Sequence, residues 1–420
     1  MARTLYTALL WLLLPLVPLR LWLRSRRQPE YRAHGRERFG DYTLAGGMAT
    51  IWIHAVSVGE TRAAQPLVQR LLAEYPAHRI LLTHMTPTGR AAAGELFGAN
   101  PRVASVYLPY DYPFAVRRFL DRFAPAAGLI METELWPNLI ATCHARRMPL
   151  LLVNARLSAR SARGYRRLAA LTREALGKLT AVGAQTGADA QRLRDLGATK
   201  VEVTGNLKFD VTPGDALLAL GRQLRERWGA RPVLLCASTR EGEEALILDA
   251  LANADGGFLT VIVPRHPQRF DDVAQLIAAR GMPFRRRSDS GAIGDDTRIV
   301  LGDSMGELFA YYAAADVAFV GGSLLPLGGQ NLIEPCAVGT PVLIGPHTYN
   351  FLEAAEQAIA AGAARRVSDA RDLVAQAQAL LADPAARRAM GGAGRQFASV
   401  HAGATARTLD LIARSLTAAA

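Results

Sequence analysis

Three carboxylates in the first half of the chain stand where proton-transfer chemistry would need them. Glu60 closes the segment HAVSVGE (54–60), after an apolar run, in the first turn of a predicted helix. A helix N-terminus favours an ionised carboxylate, so Glu60 could accept a proton at neutral pH. Glu132 and Glu134 follow another apolar run, where carboxylates need a polar site or a cationic partner. From these residues alone, helix capping by Glu60 and structural ion pairs for the other two stay open.

Two later segments supply basic groups. The arginines of NARLSARS (154–161) could clamp a phosphate, or the segment could be an ordinary basic loop. Lys208, in GNLKFD (205–210), is one of three lysines among 49 basic residues. In a chain that otherwise uses arginine, a lysine suggests a site that needs a compact point charge. A lysine left there by chance is the alternative.

The second half of the chain has the pattern of a nucleotide site. The apolar run 317–320 ends at a glycine pair, and a second pair precedes NLIE (331–334), which begins a predicted helix capped by Asn331. Glycines let the backbone approach a phosphate, and the free N–H groups of a helix N-terminus favour an anion. Three other predicted strands end in polar or glycine-rich turns: ASTREGEE (237–244), PRHP (264–267) and GDSMGEL (302–308). Together these turns predict a nucleotide or phosphate site.

The elements that position these groups alternate regularly. After Thr50, short apolar runs alternate with helical stretches, which predicts parallel sheets covered on both faces. Pro213 and Gly214 interrupt this rhythm before a fresh series begins. We therefore predict an α/β protein of two doubly wound, Rossmann-like domains, 28–210 and 231–420, joined by a linker at 211–230 and facing each other across a cleft. Ligands of such sheets bind at the carboxyl ends of the strands.

Residues 1–27 predict a membrane anchor helix with a basic collar. Residues 5–19 are almost entirely apolar, and seven arginines follow between Arg20 and Arg38. Such charge holds the body of a protein in the cytoplasm, beside anionic lipid. Because the run is short for a membrane span, single-pass and monotopic anchoring both stay open, and a buried first helix is the alternative to an anchor.

Composition narrows the possible ligands. The net charge of +12 suits nucleic acid, an anionic membrane or a phosphorylated substrate, but the 7% aromatic residues are not interleaved with arginines as base stacking requires. Three widely spaced cysteines predict neither disulfides nor a zinc site. The sequence contains no Walker A, GxGxxG, HExxH or loop DxD motif. We therefore predict no cofactor and no metal.

Taken together, the motifs resemble those of the 3-deoxy-D-manno-octulosonic acid (Kdo) transferases of lipopolysaccharide synthesis. The resemblance covers nearly the whole chain and rests on ten segments in one order: HAVSVGE (54–60), MTPTGR (85–90), YLPYD (107–111), METELWPN (131–138), NARLSARS (154–161), GNLKFD (205–210), PRHPQRF (264–270), MGEL (305–308), VGGS (320–323) and GGQNLIEP (328–335). No single segment would be specific.

This resemblance implies a GT-B fold, an N-terminal membrane anchor at the cytoplasmic face of the inner membrane, and inverting, metal-independent transfer of Kdo. The implied donor is CMP-Kdo and the implied acceptor is the lipid A precursor, lipid IVA. Anionic inner-membrane lipid is a further implied partner, and nucleic acid is not. The nearest alternative is a GT-B-fold sugar-nucleotide epimerase, which shares the two-domain plan but needs no hydrophobic anchor.

The resemblance also implies roles for individual residues. Glu60 would be the general base, and Glu132 and Lys208 would support the transition state. The residues implied to bind CMP are Pro264, Arg265, Met305, Gly306, Glu307, Asn331, Leu332, Ile333 and Glu334. The chain departs from the family at Gln330 and Arg240, where histidine is usual.

Overall fold

The computed structural model describes residues 1–210, 214–252, 254, 257–289, 291 and 293–417, in two compact units. Unit 1 comprises Met1–Asp210 and Gly403–Ala420, and unit 2 comprises Val211–Ala402. The predicted second domain extended to residue 420, whereas the structure groups the last helix with unit 1. The predicted linker at 211–230 lies partly outside the described residues, at 211–213, and most of its remainder is a helix of unit 2.

Unit 1 is built on a parallel sheet of seven strands in the order β3-β2-β1-β4-β5-β6-β7. Successive side chains of the first strand point to opposite faces, so Trp52 joins one core layer while Ile51 and Ile53 join the other. Both faces are buried, and most strands are therefore apolar throughout. The strands are β1 Thr50–His54, β2 Arg79–His84, β3 Val103–Tyr107, β4 Ala127–Met131, β5 Leu150–Ala155, β6 Ala181–Ala184 and β7 Val201–Val203.

Helices cover both faces of this sheet. A glycine on β4 makes room for the largest core side chain, because a Cβ at Gly128 would lie 2.6 Å from the Trp52 ring. The helices are α1 Ala2–Leu13, α2 Leu16–Arg27, α3 Val58–Ala63, α4 Gln65–Glu74, α5 Pro87–Phe97, α6 Pro113–Phe123, α7 Pro137–Ala145, α8 Ala159–Arg166, α9 Ala169–Gly177 and α10 Gly187–Asp195, with 3₁₀ turns at Pro29–Arg32, Gly35–Phe39 and Leu207–Phe209.

Unit 2 has a second parallel sheet of seven strands, in the order β10-β11-β9-β8-β12-β13-β14. Its central strand, β8, is buried along its whole length. The strands are β8 Val233–Thr239, β9 Leu259–Pro264, β10 Phe284–Arg286, β11 Ile299–Leu301, β12 Val317–Val320, β13 Val342–Ile344 and β14 Ala364–Arg366. The helices are α11 Asp215–Trp228, α12 Glu243–Ala252, α13 Phe270–Ala278, α14 Leu308–Ala314, α15 Ile333–Val338, α16 Leu352–Ala360, α17 Ala370–Ala382 and α18 Pro384–His401, with a 3₁₀ turn at Pro267–Arg269. Two parallel-sheet α/β units are thus confirmed.

The last helix, α19 (Ala404–Thr417), completes unit 1. Its side chains Leu409 and Ile412 are buried in the same core layer as Ile51. The Asp210 carboxylate accepts hydrogen bonds from the backbone N–H groups of Gly403 and Thr405 at the start of this helix. Burial of its apolar face places α19 with unit 1, although its sequence follows unit 2.

The N-terminal segment differs from the predicted single anchor helix. It forms two helices, α1 and α2, bent by 61°. Pro15 lies at the break, where it supplies no N–H and clashes with the preceding turn. Within the described part of the chain, no single helix is long and apolar enough to cross a membrane, whereas this bent pair meets those two criteria together.

Candidate active site

The carboxylates predicted from the sequence meet at one point of the unit 1 sheet. Strands β1 and β4 are neighbours there, and strand order runs outward from them in both directions, the arrangement that opens a crevice at the strands' carboxyl ends. A pocket of about 330 Å³ lies at this point. Its lining comprises Glu60, Glu132, Thr133, Glu134, Arg156, Ser158 and Ser161.

Two local hydrogen bonds fix the Glu60 carboxylate. Its Oε2 accepts from the Val56 N–H at 2.7 Å, and its Oε1 accepts from the Ser57 hydroxyl at 3.1 Å. Ser57 is the N-cap of α3, and its Oγ accepts from the Glu60 N–H in return. This arrangement is a variant of the capping box, in which the carboxylate accepts from the N–H of Val56, before the N-cap, and from the Ser57 hydroxyl. Glu60 thus caps the helix and also lines the pocket, so its capping contact leaves the catalytic role open as a prediction.

Burial raises the pKa of Glu60 to about 7. This value is the net result: the nearby charges of Glu132 and Glu134 contribute to the rise, and the hydrogen bonds from Val56 and Ser57 oppose it. Burial and like charge thus act against the helix N-terminus, which favours the ionised form of this group. A carboxyl group with a pKa close to neutrality is well matched to general-base catalysis.

The turn after β4 presents the other two carboxylates from a strained backbone. Glu132 has φ +55°, a left-handed conformation that non-glycine residues rarely adopt, and its N–H donates to the Val153 carbonyl at 3.0 Å. Strain of this kind persists where the surrounding structure enforces it and is common at functional sites. Burial raises the pKa of Glu134, and the charge of Glu132 adds to the effect. The Thr133 hydroxyl donates to the Arg156 carbonyl, which joins this turn to the one after β5.

Lys208 is not part of the described lining of this pocket. It lies on the 3₁₀ turn after β7, the edge strand of the sheet. The Oδ1 of Asn154, at the end of β5, accepts from the Leu207 N–H at 3.0 Å and so ties the Lys208 turn to the central strands. Asn154 is fully buried and left-handed, with φ +52°. Within unit 1, the structure thus brings Glu60 and Glu132 together and holds Lys208 on a separate, tethered turn.

Sequence reasoning missed three polar residues of the pocket. Thr133, Ser158 and Ser161 line it beside the carboxylates. Ser158 is the N-cap of α8 and accepts from the Ser161 N–H at 3.1 Å. The serine at the start of an arginine-rich helix was a usable signal, but it indicates a helix start wherever it occurs. Thr133 carried no signal beyond its place between two glutamates.

In unit 2, the glycine turn after β12 is already occupied by a carboxyl side chain. Glu243 is fully buried, and its carboxylate accepts from the N–H groups of Gly322 at 2.6 Å, Leu324 at 2.9 Å and Arg240 at 2.9 Å. The Gly322 N–H is therefore engaged by Glu243, and the prediction of a nucleotide site at the following helix N-terminus stays a prediction. The turn after β12 can lie close to the end of β8 because residue 321 is a glycine. A Cβ at this position would lie 2.6 Å from the Ser238 carbonyl oxygen.

The predicted nucleotide residues lie on three strand ends around this turn. The Oδ1 of Asn331 accepts from the Ile333 N–H at 3.0 Å, and its Nδ2 donates to Glu334 at 3.1 Å. Burial raises the pKa of Glu334 to about 6, opposed by Asn331 and by the charge of Arg265. Arg265 follows Pro264, the last residue of β9, and its positive charge acts on the Glu334 carboxyl group. The backbone N–H of Gln330 donates to the Gly321 carbonyl at 3.0 Å, so this segment depends on the glycine turn.

The third of these strand ends is the Met305-Gly306-Glu307 turn after β11. Gly306 has φ +79°, a conformation that favours glycine, and Met305 is exposed. The Glu307 carboxylate accepts from the Ser304 hydroxyl at 2.7 Å and pairs with Arg287 at 3.3 Å. Leu332 and Ile333 are buried, so their contribution to a ligand would come from the backbone.

Comparison with known proteins gives concordant matches. A family model described as "3-Deoxy-D-manno-octulosonic-acid transferase (kdotransferase)" matches residues 33–211, and one described as "Glycosyl transferases group 1" matches residues 283–397. The chain is 50% identical to a 3-deoxy-D-manno-octulosonic acid transferase of Bordetella pertussis, over 98% of this chain and 99% of that one. It is 39% identical to one of Haemophilus influenzae, over 98% of both chains. Among solved structures, a glycosyltransferase of Rickettsia africae superposes with a TM-score of 0.55 at 14% identity, over 88% of this chain and 99% of that one, which bears on the fold alone.

Proposed function

The chain belongs to the 3-deoxy-D-manno-octulosonic acid (Kdo) transferase family, and we propose from this premise that it transfers Kdo from CMP-Kdo to the lipid A precursor, lipid IVA. The family predicted from the sequence motifs is confirmed by the near-full-length relatives. The donor, the lipid acceptor and the stereochemical course are the content of the proposal. We assign the base to unit 1 and CMP binding to unit 2.

One observation carries the proposal: Glu60 is a carboxyl with a pKa of about 7, fixed by two hydrogen bonds at the strand-order switch of unit 1. In the proposed step, an acceptor hydroxyl loses its proton to Glu60 as its oxygen bonds to the anomeric carbon of Kdo. The bond from that carbon to the CMP phosphate oxygen breaks, and CMP leaves with the electron pair. Attack opposite the departing phosphate inverts the anomeric centre.

Other charged groups would stabilise the charge that develops during this step. We assign to Glu132 the stabilisation of the oxocarbenium-like sugar, because its carboxylate lines the same pocket as Glu60. Lys208 would offset negative charge on the donor carboxylate or the departing phosphate. Arg265 would contact the CMP phosphate, which an arginine can hold through two hydrogen bonds. The route is proposed to be independent of metal.

The N-terminal helices support a place at the cytoplasmic face of the inner membrane. Several apolar side chains of α1 are exposed, and Leu5 and Leu12 are each 75% exposed. Arg20, Arg24 and Arg26 of α2 are exposed, and the Arg26 guanidinium stacks 3.9 Å from the ring centre of the exposed Trp22. An apolar surface bordered by arginines fits anionic lipid. We therefore propose monotopic seating of this segment on the membrane.

Mass spectrometry of the lipid products tests the function directly. Purified protein is incubated with CMP-Kdo and a tetra-acylated lipid A precursor, and Glu60→Gln is the matched inactive control. The expected result is a product heavier by one or more Kdo residues with the wild-type protein and none above background with the variant. The same spectrum counts the Kdo residues added. Absence of any Kdo adduct, or epimerisation of a UDP-sugar instead, would overturn the proposal.

A further inference from the structure

The first helix makes specific polar contacts with the body of unit 1. The Thr7 hydroxyl lies 2.9 Å from Oδ1 of Asn138, to which it can donate, and it shares its proton with the Arg3 carbonyl at 2.8 Å. The Tyr6 hydroxyl lies beside the Asp111 carboxylate, and burial together with that negative charge raises the pKa of Tyr6. A tether that only raised local concentration would need neither contact.

Further contacts fix the same face of α1. The Leu10 carbonyl accepts from the Tyr112 hydroxyl at 2.9 Å, and the Trp11 ring lies 5.7 Å from the Tyr112 ring and 5.6 Å from the Phe114 ring. Arg3 pairs with Glu174 at 3.3 Å. The docked positions 3, 6, 7 and 10 follow the spacing of one helix face, whereas the exposed Leu5 and Leu12 lie on another.

The residues that α1 contacts hold the start of α7. Asp111 is buried, and its carboxylate accepts from the N–H groups of Asn138 and Leu139, each at 2.8 Å. The Asn138 side chain donates to the Asp111 carbonyl at 2.8 Å. Asp111 therefore satisfies two of the N–H groups that a helix start leaves without an internal partner. Tyr6 and Thr7 complete this cluster from outside.

The start of α7 is the end of the turn that presents two carboxylates to the pocket. Only Leu135, Trp136 and Pro137 separate Glu134 from Asn138. The Trp136 ring packs edge-on to His54, the last residue of β1, at 6.0 Å between centres. A shift at Asn138 would therefore be transmitted to the carboxylate turn over a short, packed stretch of chain.

We propose that Tyr6 and Thr7 are positioning residues of α1, a helix whose exposed face lies on lipid. Through these two residues α1 holds the Asp111–Asn138 cluster in place. The cluster in turn holds the Glu132–Glu134 turn in position. The catalytic part of this inference rests on the proposed Kdo transfer. The structural part of the inference, that α1 holds the start of α7 in place, does not rest on that reaction. It concerns only the hydrogen bonds at the start of the helix.

The test uses the full chain with the double substitution Tyr6→Phe and Thr7→Val, which removes two hydroxyls and keeps side-chain shape. The control is Leu5→Ala with Leu12→Ala, on the exposed face. Acceptor is supplied in detergent, where membrane tethering gives no advantage. We expect the hydroxyl-free variant to lose about threefold to tenfold in kcat with CMP affinity unchanged, the size expected when one or two hydrogen bonds are lost. The control should keep its kcat and bind vesicles of anionic phospholipid more weakly.

Two further readouts keep the inference falsifiable. Thr7→Ser, which retains a hydroxyl, should restore the kcat lost in Thr7→Val; equal loss in both would overturn the inference. Hydrogen exchange at the Asn138 and Leu139 amides should be about fivefold to tenfold faster in the double variant, whatever the enzyme's substrate. Unchanged exchange overturns the positioning role even if kcat falls. Faster exchange with an inactive wild-type protein would instead point to failure of the proposed reaction alone.

Discussion

The carboxylate of Glu243 accepts a hydrogen bond from the Gly322 N–H at 2.6 Å, deep inside unit 2. The Glu243 side chain therefore occupies the glycine turn that the sequence pattern predicts to bind a phosphate. The turn's geometry is thereby set before any ligand binds, and the segment that begins at Gln330 follows from it through the hydrogen bond to the Gly321 carbonyl. Four predictions follow from this and the other contacts.

We expect Glu243→Gln to weaken CMP binding and to lower the Tm. The amide keeps one accepting oxygen but turns an NH₂ group toward backbone donors, at a cost of about 1–3 kcal/mol, or a fall of roughly 3–10 °C. Calorimetric titration with CMP and thermal unfolding measure the two effects. Glu241→Gln, at a side chain that is 92% exposed, is the matched control. Wild-type CMP affinity in Glu243→Gln would show that the turn holds its shape without the Glu243 carboxyl group.

Glu60→Gln should lower kcat by about 10²–10⁴-fold while CMP still binds, because the amide cannot take a proton. The amide oxygen can keep one of the hydrogen bonds from Val56 and Ser57, so the capping of α3 is only partly lost. Steady-state kinetics with both substrates saturating give the effect, and Glu95→Gln, on the exposed α5 surface, serves as control. Turnover within a few-fold of wild type would remove Glu60 from the mechanism.

The pH profile should show an acidic limb with an apparent pKa near 7. The base must be unprotonated to act, and Glu60, whose pKa is about 7, becomes protonated as the pH falls through that value, so kcat falls with it. Glu134→Gln removes a nearby negative charge that favours protonation of Glu60, and we expect the limb to move to lower pH. A limb that stays in place, or moves to higher pH, would show that another group sets the profile.

At Lys208, we expect substitution by arginine to fail although the charge is kept. A guanidinium is larger, planar and differently directed, and the Lys208 turn is tied to β5 through Asn154, which limits adjustment. Lys208→Met should be at least as poor, by about 10²–10³-fold in kcat, the usual loss of an electrostatic contact in the transition state. Lys200→Arg, at an exposed position, is the control. Wild-type turnover in Lys208→Arg would mean that no compact charge is required there.

Most of the fold could be predicted because the central strands are buried on both faces and are therefore apolar at nearly every position. The edge strands β10 and β14 were missed, since each carries two arginines that an edge tolerates and a central strand would not. The prediction of a single anchor helix was wrong because Pro15 breaks the helix although the residues on both sides are apolar.

For a similar reason, only part of the candidate site could be predicted from the sequence. Glu60 and Glu132 each follow an apolar run, but only the adjacency of β1 and β4 brings them into one pocket, and strand order is a property of the whole sheet. The contact between Glu243 and Gly322 depends on the neighbouring positions of β8 and β12 in the same way. Local sequence patterns therefore identified the carboxyl groups. Residues that are distant in sequence but adjacent in the fold determine which other groups these carboxyl groups contact.

The placement of α19 has a consequence for biosynthesis. Ala404, Leu409 and Ile412 lie in the same core layer as Ile51 and Leu67, although several hundred residues are made between them. On the ribosome, the layer between α4 and β6 stays incomplete until residues 404–417 emerge. The described core of unit 2, by contrast, draws on residues from Leu220 to Ala398, which all lie within that unit. The part of the chain made later is thus the first able to finish folding, and the part made first carries open apolar surface in the meantime.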